Sequence, residues 1–475
     1  MSKGKALALA TAAVFAAVLA LGSSAANAGY PFTCPKQRVL VVQYDTGVVT
    51  THTTVQAAVV EANGTDAGSS VGDTVVVCPG TFSENVVVPL MDAGGLNTNI
   101  TIRSWNGADN SKLVGSGPAP VIDIDANGVT LGGPGLGLTI TGTSPTGIQV
   151  GDPMEPDPDE DDDQEITECE PLPPPGECPD EELPPLTPIN VSLIGNRVLN
   201  LASSTATVTG ISVTNSNNTL TFRNLVQNLS AGAGDRVYGI RYSDTNSNTE
   251  ILENAVLDVS QAGGTCDGSL ATPMTGAIGI AVQEEALDAL AYENKVEEII
   301  STCTAIGFYS DAYGGLENDR NGQQIPIVTD VVDNRIKKVV GAAGTCTSAD
   351  QTGCRSANVV IAPSPLDTED DETGPSSFRV LANDLDDGQV AVAVLAQMAP
   401  YSYIKENDFD HNQIGVWSSA NTNTDATNNW WGCVEGPASG KKECATIAGV
   451  VFYQPWLKQH VDHAGDHAGE HAGHG

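Results

Sequence analysis

The residues best suited to chemistry lie towards the C-terminal end of the chain. His460, His463, His467, His471 and His474 recur every three or four residues, and Asp462, Asp466 and Glu470 each stand one place before a histidine. Neutral imidazoles are good ligands for Zn²⁺, Cu²⁺ and Ni²⁺, and neighbouring carboxylates raise their basicity. The spacing marks this tail as a weak, promiscuous divalent-metal ligand set; the competing account is a solubilising tail. Its glycines disfavour a stable helix, so a site there would form on binding. A second constellation is Asp384-Leu-Asp386-Asp387-Gly388. Paired carboxylates can serve as general acid and base on a glycosidic bond, or hold Ca²⁺. Leu385 stands where a calcium loop needs an oxygen ligand, so a solvated turn is the competing account of this cluster. Trp417, Trp430 and Trp431, with Tyr242, Tyr309, Tyr313, Tyr401 and Tyr403, are the side chains able to stack on sugar rings. For Trp430 and Trp431 the favoured role is packing that closes the end of the fold.

The composition bounds what these groups meet. The chain has 475 residues, with 59 Asp and Glu against 21 Lys and Arg, for a net charge of −38. No Lys/Arg-rich stretch is present to neutralise a phosphate backbone, which argues against nucleic acid as the ligand, and leaflet binding through basic residues is equally disfavoured. Apolar residues make up 40% and aromatics 5%. The core is therefore expected to consist of Val, Ile, Leu and Ala.

Residues 1–28 read as a secretory signal. Lys3 and Lys5 precede the apolar run Ala6 to Leu21, and Ala26-Asn27-Ala28 is an A-x-A cleavage site. The run is short of the roughly 20 residues that a membrane span needs. The expectation is a secreted or periplasmic chain with no membrane span after cleavage. All ten cysteines follow residue 28, and an even number in an oxidising compartment suggests disulfides. Proximity suggests Cys34 with Cys78, Cys169 with Cys178, Cys266 with Cys303, Cys346 with Cys354, and Cys433 with Cys444, although sequence alone does not fix connectivity. A zinc site is disfavoured because no C-x-x-C pair occurs.

The elements that must position these groups are short. Thr54 to Ala62 has apolar residues at helical spacing, and it is followed by β-branched runs of three to five residues that mostly end in Gly or Asn. An internal repeat then appears. Asn196, Asn224, Asn254, Asn294, Asn334, Asn383 and Asn407 each open an alternating apolar stretch, 28, 30, 40, 40, 49 and 24 residues apart. Gly147, Gly210, Gly239, Gly279 and Gly307 each precede Ile or Phe, and Gly415 precedes Val. A basic period in the twenties with insertions is a solenoid signature. Strands this short gain stability only by stacking coil on coil. The recurrent Asn is expected at a left-handed corner, and the recurrent Gly at a positive φ or a close backbone approach.

The helix with Gly72-Asp-Thr-Val-Val-Val-Cys-Pro-Gly-Thr-Phe-Ser-Glu-Asn-Val86, and Ala426-Thr-Asn-Asn-Trp-Trp-Gly432 with Gly436-Pro437, resemble the opening and closing motifs of the pectin-lyase-like superfamily. The resemblance covers about residues 50–457. It implies an all-β fold, a right-handed parallel β-helix (solenoid) with a short N-terminal capping helix. The domain then spans 29–457, followed by the His-rich tail 458–475. Two acidic segments interrupt it: 151–188, with 15 acidic residues and 11 Pro, and 363–376. This fold hosts lyases, hydrolases and binding modules, so it does not settle the activity. Polygalacturonases of this fold carry Asn-Thr-Asp, Asp-Asp, Gly-His-Gly and Arg-Ile-Lys in that order. Here Arg335-Ile-Lys337, Asp386-Asp387 and Asn423-Thr-Asp425 occur in reversed order, and Gly-His-Gly is absent. The expectation is a non-catalytic binding protein for polysaccharide or cell-envelope glycan. One alternative is a polysaccharide lyase or glycoside hydrolase using Asp384, Asp386 and Asp387, with Arg197, Arg223, Arg241, Arg335 or Arg379 as base or anchor. The other is periplasmic Cu/Zn handling, since some β-helix proteins of this superfamily assist copper enzymes.

Overall fold

The computed structural model describes residues 33–63, 72–90, 99–151, 188–243 and, apart from short internal stretches, 248–461. The chain divides into Met1–Pro35 and Lys36–Gly475, and the β-helix occupies the second unit. Residues 1–28, Cys169 and Cys178, the acidic stretches 152–187 and 364–376, and His463, His467, His471 and His474 lie outside the described residues.

The fold is an all-β parallel β-helix. Three long sheets of 12, 10 and 11 strands run its length. Each coil gives one strand to each sheet, as in Glu250–Leu252, Ala255–Gln261 and Gly276–Val282. Antiparallel pairing of the long sheets is confined to the first of them, where Val39–Val42 lies between Val49–His52 and Thr74–Val77. Strands of three residues persist because neighbouring coils satisfy their backbone groups on both sides.

Inward residues line up through the register. In the second sheet Val226, Val256, Val296, Ile336 and Leu385 are stacked and at most 1% exposed. In the third, Ile240, Ile280, Phe308, Val359, Val392 and Val416 do the same. The interior is one continuous, mainly aliphatic column, closed at its start by helix α1 (Val55–Ala62), which buries Val55, Ala58, Val59 and Ala62. Thr54 caps this helix through its hydroxyl, and the Glu84 carboxylate accepts from Val55 N and Gln56 N at 2.8 and 3.0 Å. At the far end Trp431 is fully buried and meets Phe409 edge-on, with ring centroids 5.1 Å apart.

The corners differ from the sequence expectation. The recurrent Asn residues themselves are not left-handed. The residue before each one is: Arg223, Glu253, Glu293, Asp333, Ala382 and Glu406 have φ of 52–58°. The Asn is thereby turned inward, and its amide bonds to the backbone and to the Asn of the next coil. The recurrent Gly serves close approach rather than positive φ. A Cβ on Gly239 would sit 2.3 Å from Val256 Cγ1 and 2.5 Å from Gly279 O.

Disulfides join Cys266 to Cys303, Cys346 to Cys354 and Cys433 to Cys444. Cys34 and Cys78 are likewise oxidised. This chemistry is compatible with an extracellular or periplasmic setting, and among the described residues no helix is long and apolar enough to cross a membrane. Leu270, Cys346 and Cys354, from two insertions, pack on the outer face of the third sheet against Tyr238, Ile278, Ile306 and Tyr309. The second sheet keeps an open outer face, where Ile300 and Val340 are 48% and 50% exposed.

Candidate functional site

Charge gathers on that open face as the coils proceed. One outward column runs Leu225, Ala255, Lys295, Arg335 and Asp384; the next runs Gln227, Leu257, Glu297, Lys337 and Asp386. Lys337 reaches Asp384 at 2.8 Å and Asp386 at 3.4 Å. Glu297 takes Lys295 at 3.1 Å and Arg335 at 3.3 Å. Burial lifts Asp384 above the usual carboxylate range, and Lys337 offsets this only in part.

A third column arises from a kink. Asn228, Asp258, Glu298, Lys338, Asp387 and His411 are all left-handed, with φ of 51–62°. One such residue inserted in the strand lets Val226 and Leu229, three apart, both point inward. The kink residues therefore project outward, one per coil. Glu298, Lys338, Asp387 and His411, over Ile300 and Val340, line an open cleft of about 520 Å³. Lys338 Nζ donates to Glu298 at 2.8 Å. His411 Nδ1 lies 2.8 Å from Asp386 Oδ1, and that carboxylate raises its pKa.

The last coils add a more buried group. Asp408 pairs along the sheet with Asp384 on one side and Trp430 on the other. Asp408 is 6% exposed; its Oδ2 lies 2.5 Å from His460 Nδ1, while its buried Oδ1 has no hydrogen-bond partner. Asp410 Oδ2 is 3.5 Å from the same His460 nitrogen, and Asp410 Oδ1 accepts from Trp430 Nε1 at 3.0 Å. The Trp430 and His460 rings are 5.1 Å apart at 35°. Burial, reinforced by Asp410, pushes Asp408 up to about 7. For His460, burial pulls downward but the hydrogen bond and charge of Asp408 outweigh it, so it too moves up. The two shifts have different leading causes: burial disfavours the charged form of Asp408, whereas the neighbouring carboxylates favour the charged form of His460.

The structure thus brings Asp384, Asp386 and Asp387 together and joins His460, the first tail histidine, to the neighbouring coil. The potential ligand atoms of Asp386, Asp387 and His411 lie within 4.8 Å of one another, as do those of Asp408, Asp410 and His460. Sequence reasoning missed Asp408, Asp410 and His411. The signal was there: Asn383-Asp-Leu-Asp-Asp387 and Asn407-Asp-Phe-Asp-His411 align residue for residue as successive coils.

The arginines proposed as base or anchor are engaged. Arg197 pairs with Asp109, Arg223 with Glu253, Arg335 with Glu297 and Arg379 with Asp330, while Arg241 bonds Gln283 and stacks over Tyr238. Among the aromatics, Tyr242 and Tyr309 are buried, Trp431 is core, and Tyr313 and Tyr401 lie outside the described residues. No family model matches this chain, nor does any curated protein or solved structure match it significantly.

Proposed function

We propose that the chain is an exported, non-catalytic binding protein, a β-helix resembling the pectin-lyase-like superfamily, which holds a polysaccharide along the outer face of the second sheet. The observation that carries this reading is the kink column. Asn228, Asp258, Glu298, Lys338, Asp387 and His411 present one polar side chain per coil in a straight row. Coils are spaced about 4.8 Å apart, comparable with the advance of one sugar ring along an extended chain. A row of donors and acceptors at that interval suits a polymer better than a small molecule. Ile300 and Val340 supply an apolar floor for sugar C–H faces. The net charge of −38 disfavours polyuronates, which leaves neutral or amino-bearing glycans.

Binding is favoured over cleavage because two of the three carboxylates first suggested for catalysis, Asp384 and Asp386, are already committed. Asp384 and Asp386 share Lys337, and Asp386 also holds His411. A general acid and base pair needs both members able to give or take a proton, and Asp387 alone does not make such a pair.

Affinity electrophoresis tests the proposal with gels containing a neutral glucan, chitosan or polygalacturonate. The expected result is retardation by a neutral or amino-bearing polymer, weakened about tenfold in the double variant Lys338→Ala/Asp387→Ala. Unretarded migration in every gel, or retardation that the double variant leaves unchanged, would overturn it. Release of reducing ends from any of these polymers would overturn its non-catalytic part.

A further inference from the structure

Beyond the glycan cleft, the geometry points to a divalent-cation site built by Asp408, Asp410 and His460 at the C-terminal end of the same face, suited to Zn²⁺ before Ca²⁺ or Mg²⁺. Three segments of the chain converge there, carrying Asp408 with Asp410, Trp430, and His460. Asp408 is fixed by the ladder, its N donating to Asn383 O at 2.9 Å while Trp430 N donates to Asn407 O beside it. Asp410 is oriented by Trp430 Nε1, which occupies Oδ1 and leaves Oδ2 turned to His460. His460 is held against the Trp430 ring with Nδ1 directed at both carboxylates.

The cluster has an unmet electrostatic demand. Asp408 is more than nine-tenths buried, and one of its oxygens lacks any hydrogen-bond partner. Such a group costs on the order of 1–3 kcal/mol or more when left unsatisfied. A cation among the three side chains would compensate two carboxylates at once. One imidazole nitrogen and two carboxylate oxygens form a mixed nitrogen and oxygen set. That set suits Zn²⁺, whereas Ca²⁺ and Mg²⁺ prefer oxygen alone. Three protein ligands leave a coordination position for water or a further ligand. Trp430 is a positioning residue here: it touches the ligands and not the metal.

Zn²⁺ titration by calorimetry tests this in the full chain carrying His463→Gln, His467→Gln, His471→Gln and His474→Gln, which silences the rest of the tail. The expected result is one bound equivalent and a Zn²⁺-dependent rise in the thermal midpoint. Adding His460→Gln should abolish both. His460 is a 60% exposed side chain, so this change spares the fold. Adding Trp430→Phe instead keeps an aromatic ring against His460 but removes the indole N–H, and should weaken affinity about tenfold. Adding His411→Gln should change neither reading. Absence of binding in the tail-silenced chain, or binding that survives His460→Gln, would overturn the inference. Loss of binding on His411→Gln alone would overturn the assignment of these three ligands. None of these readings depends on a glycan, so failure here leaves the cleft proposal standing.

Discussion

Asn294 donates twice to Asn334: its backbone N and its side-chain Nδ2 both reach Asn334 Oδ1, at 2.9 and 3.0 Å. The other Nδ2 hydrogen goes to Ile251 O at 2.7 Å. Asn334 repeats the arrangement on Asn383, Asn383 on Asn407, and Asn407 on Asn429. Each amide is saturated inside the wall of the helix, so coil is tied to coil by side chains as well as by strands.

Asn294→Ala breaks this chain in the middle. It removes the Nδ2 donor from Asn334 Oδ1 and from Ile251 O, and the Oδ1 acceptor of Asn254 N and Nδ2, while the backbone N–H of residue 294 stays on Asn334 Oδ1. At about 1–3 kcal/mol for each buried group left unpaired, a loss of roughly 3 kcal/mol or more is expected, read as a lower denaturant midpoint.

Gly239→Ala forces a Cβ into Val256 and Gly279 O, both closer than contact distance. Overpacking of this kind costs about 1–3 kcal/mol. Gly133→Ala is the matched control: its nearest neighbour is a Leu136 side-chain atom at 3.8 Å, and the midpoint should hold or rise slightly.

Glu84→Ala removes the carboxylate that caps α1 and leaves two helix N–H groups unpaired. A loss of about 1–2 kcal/mol is expected. Hydrogen exchange should quicken first in Val55–Ala62, because the helix covers the open end of the core.

Glu250 carries a pKa raised by burial, and its buried Oε2 has no hydrogen-bond partner. A carboxyl with a raised folded-state pKa binds its proton more tightly when folded, so its contribution is full at acid pH. That contribution is lost as pH rises from the ordinary glutamate range through the raised value. Glu250→Gln should therefore raise the thermal midpoint at pH 7 and leave it nearly unchanged near pH 4. An equal shift at both pH values would rule out ionisation as the cause.

The local pattern of residues determined the architecture by itself. Alternation of Val, Ile and Leu specifies which side chains face inward, and recurrence of Asn specifies that the coils stack, because both signals are contained within a single coil. The capping helix was legible for the same reason, from four apolar residues at helical spacing. Tertiary structure decided the rest. The left-handed corner belongs to the residue before each Asn, since the Asn amide must turn inward to reach the next coil. The constellation Asp408, Asp410, Trp430 and His460 spans 52 residues between its first and last members. Its contacts depend on register across coils and on where the chain leaves the last one. Insertions of variable length separate the repeats, so linear spacing carries no measure of that distance. Burial, which sets the protonation of Asp408, exists only once the coils are stacked.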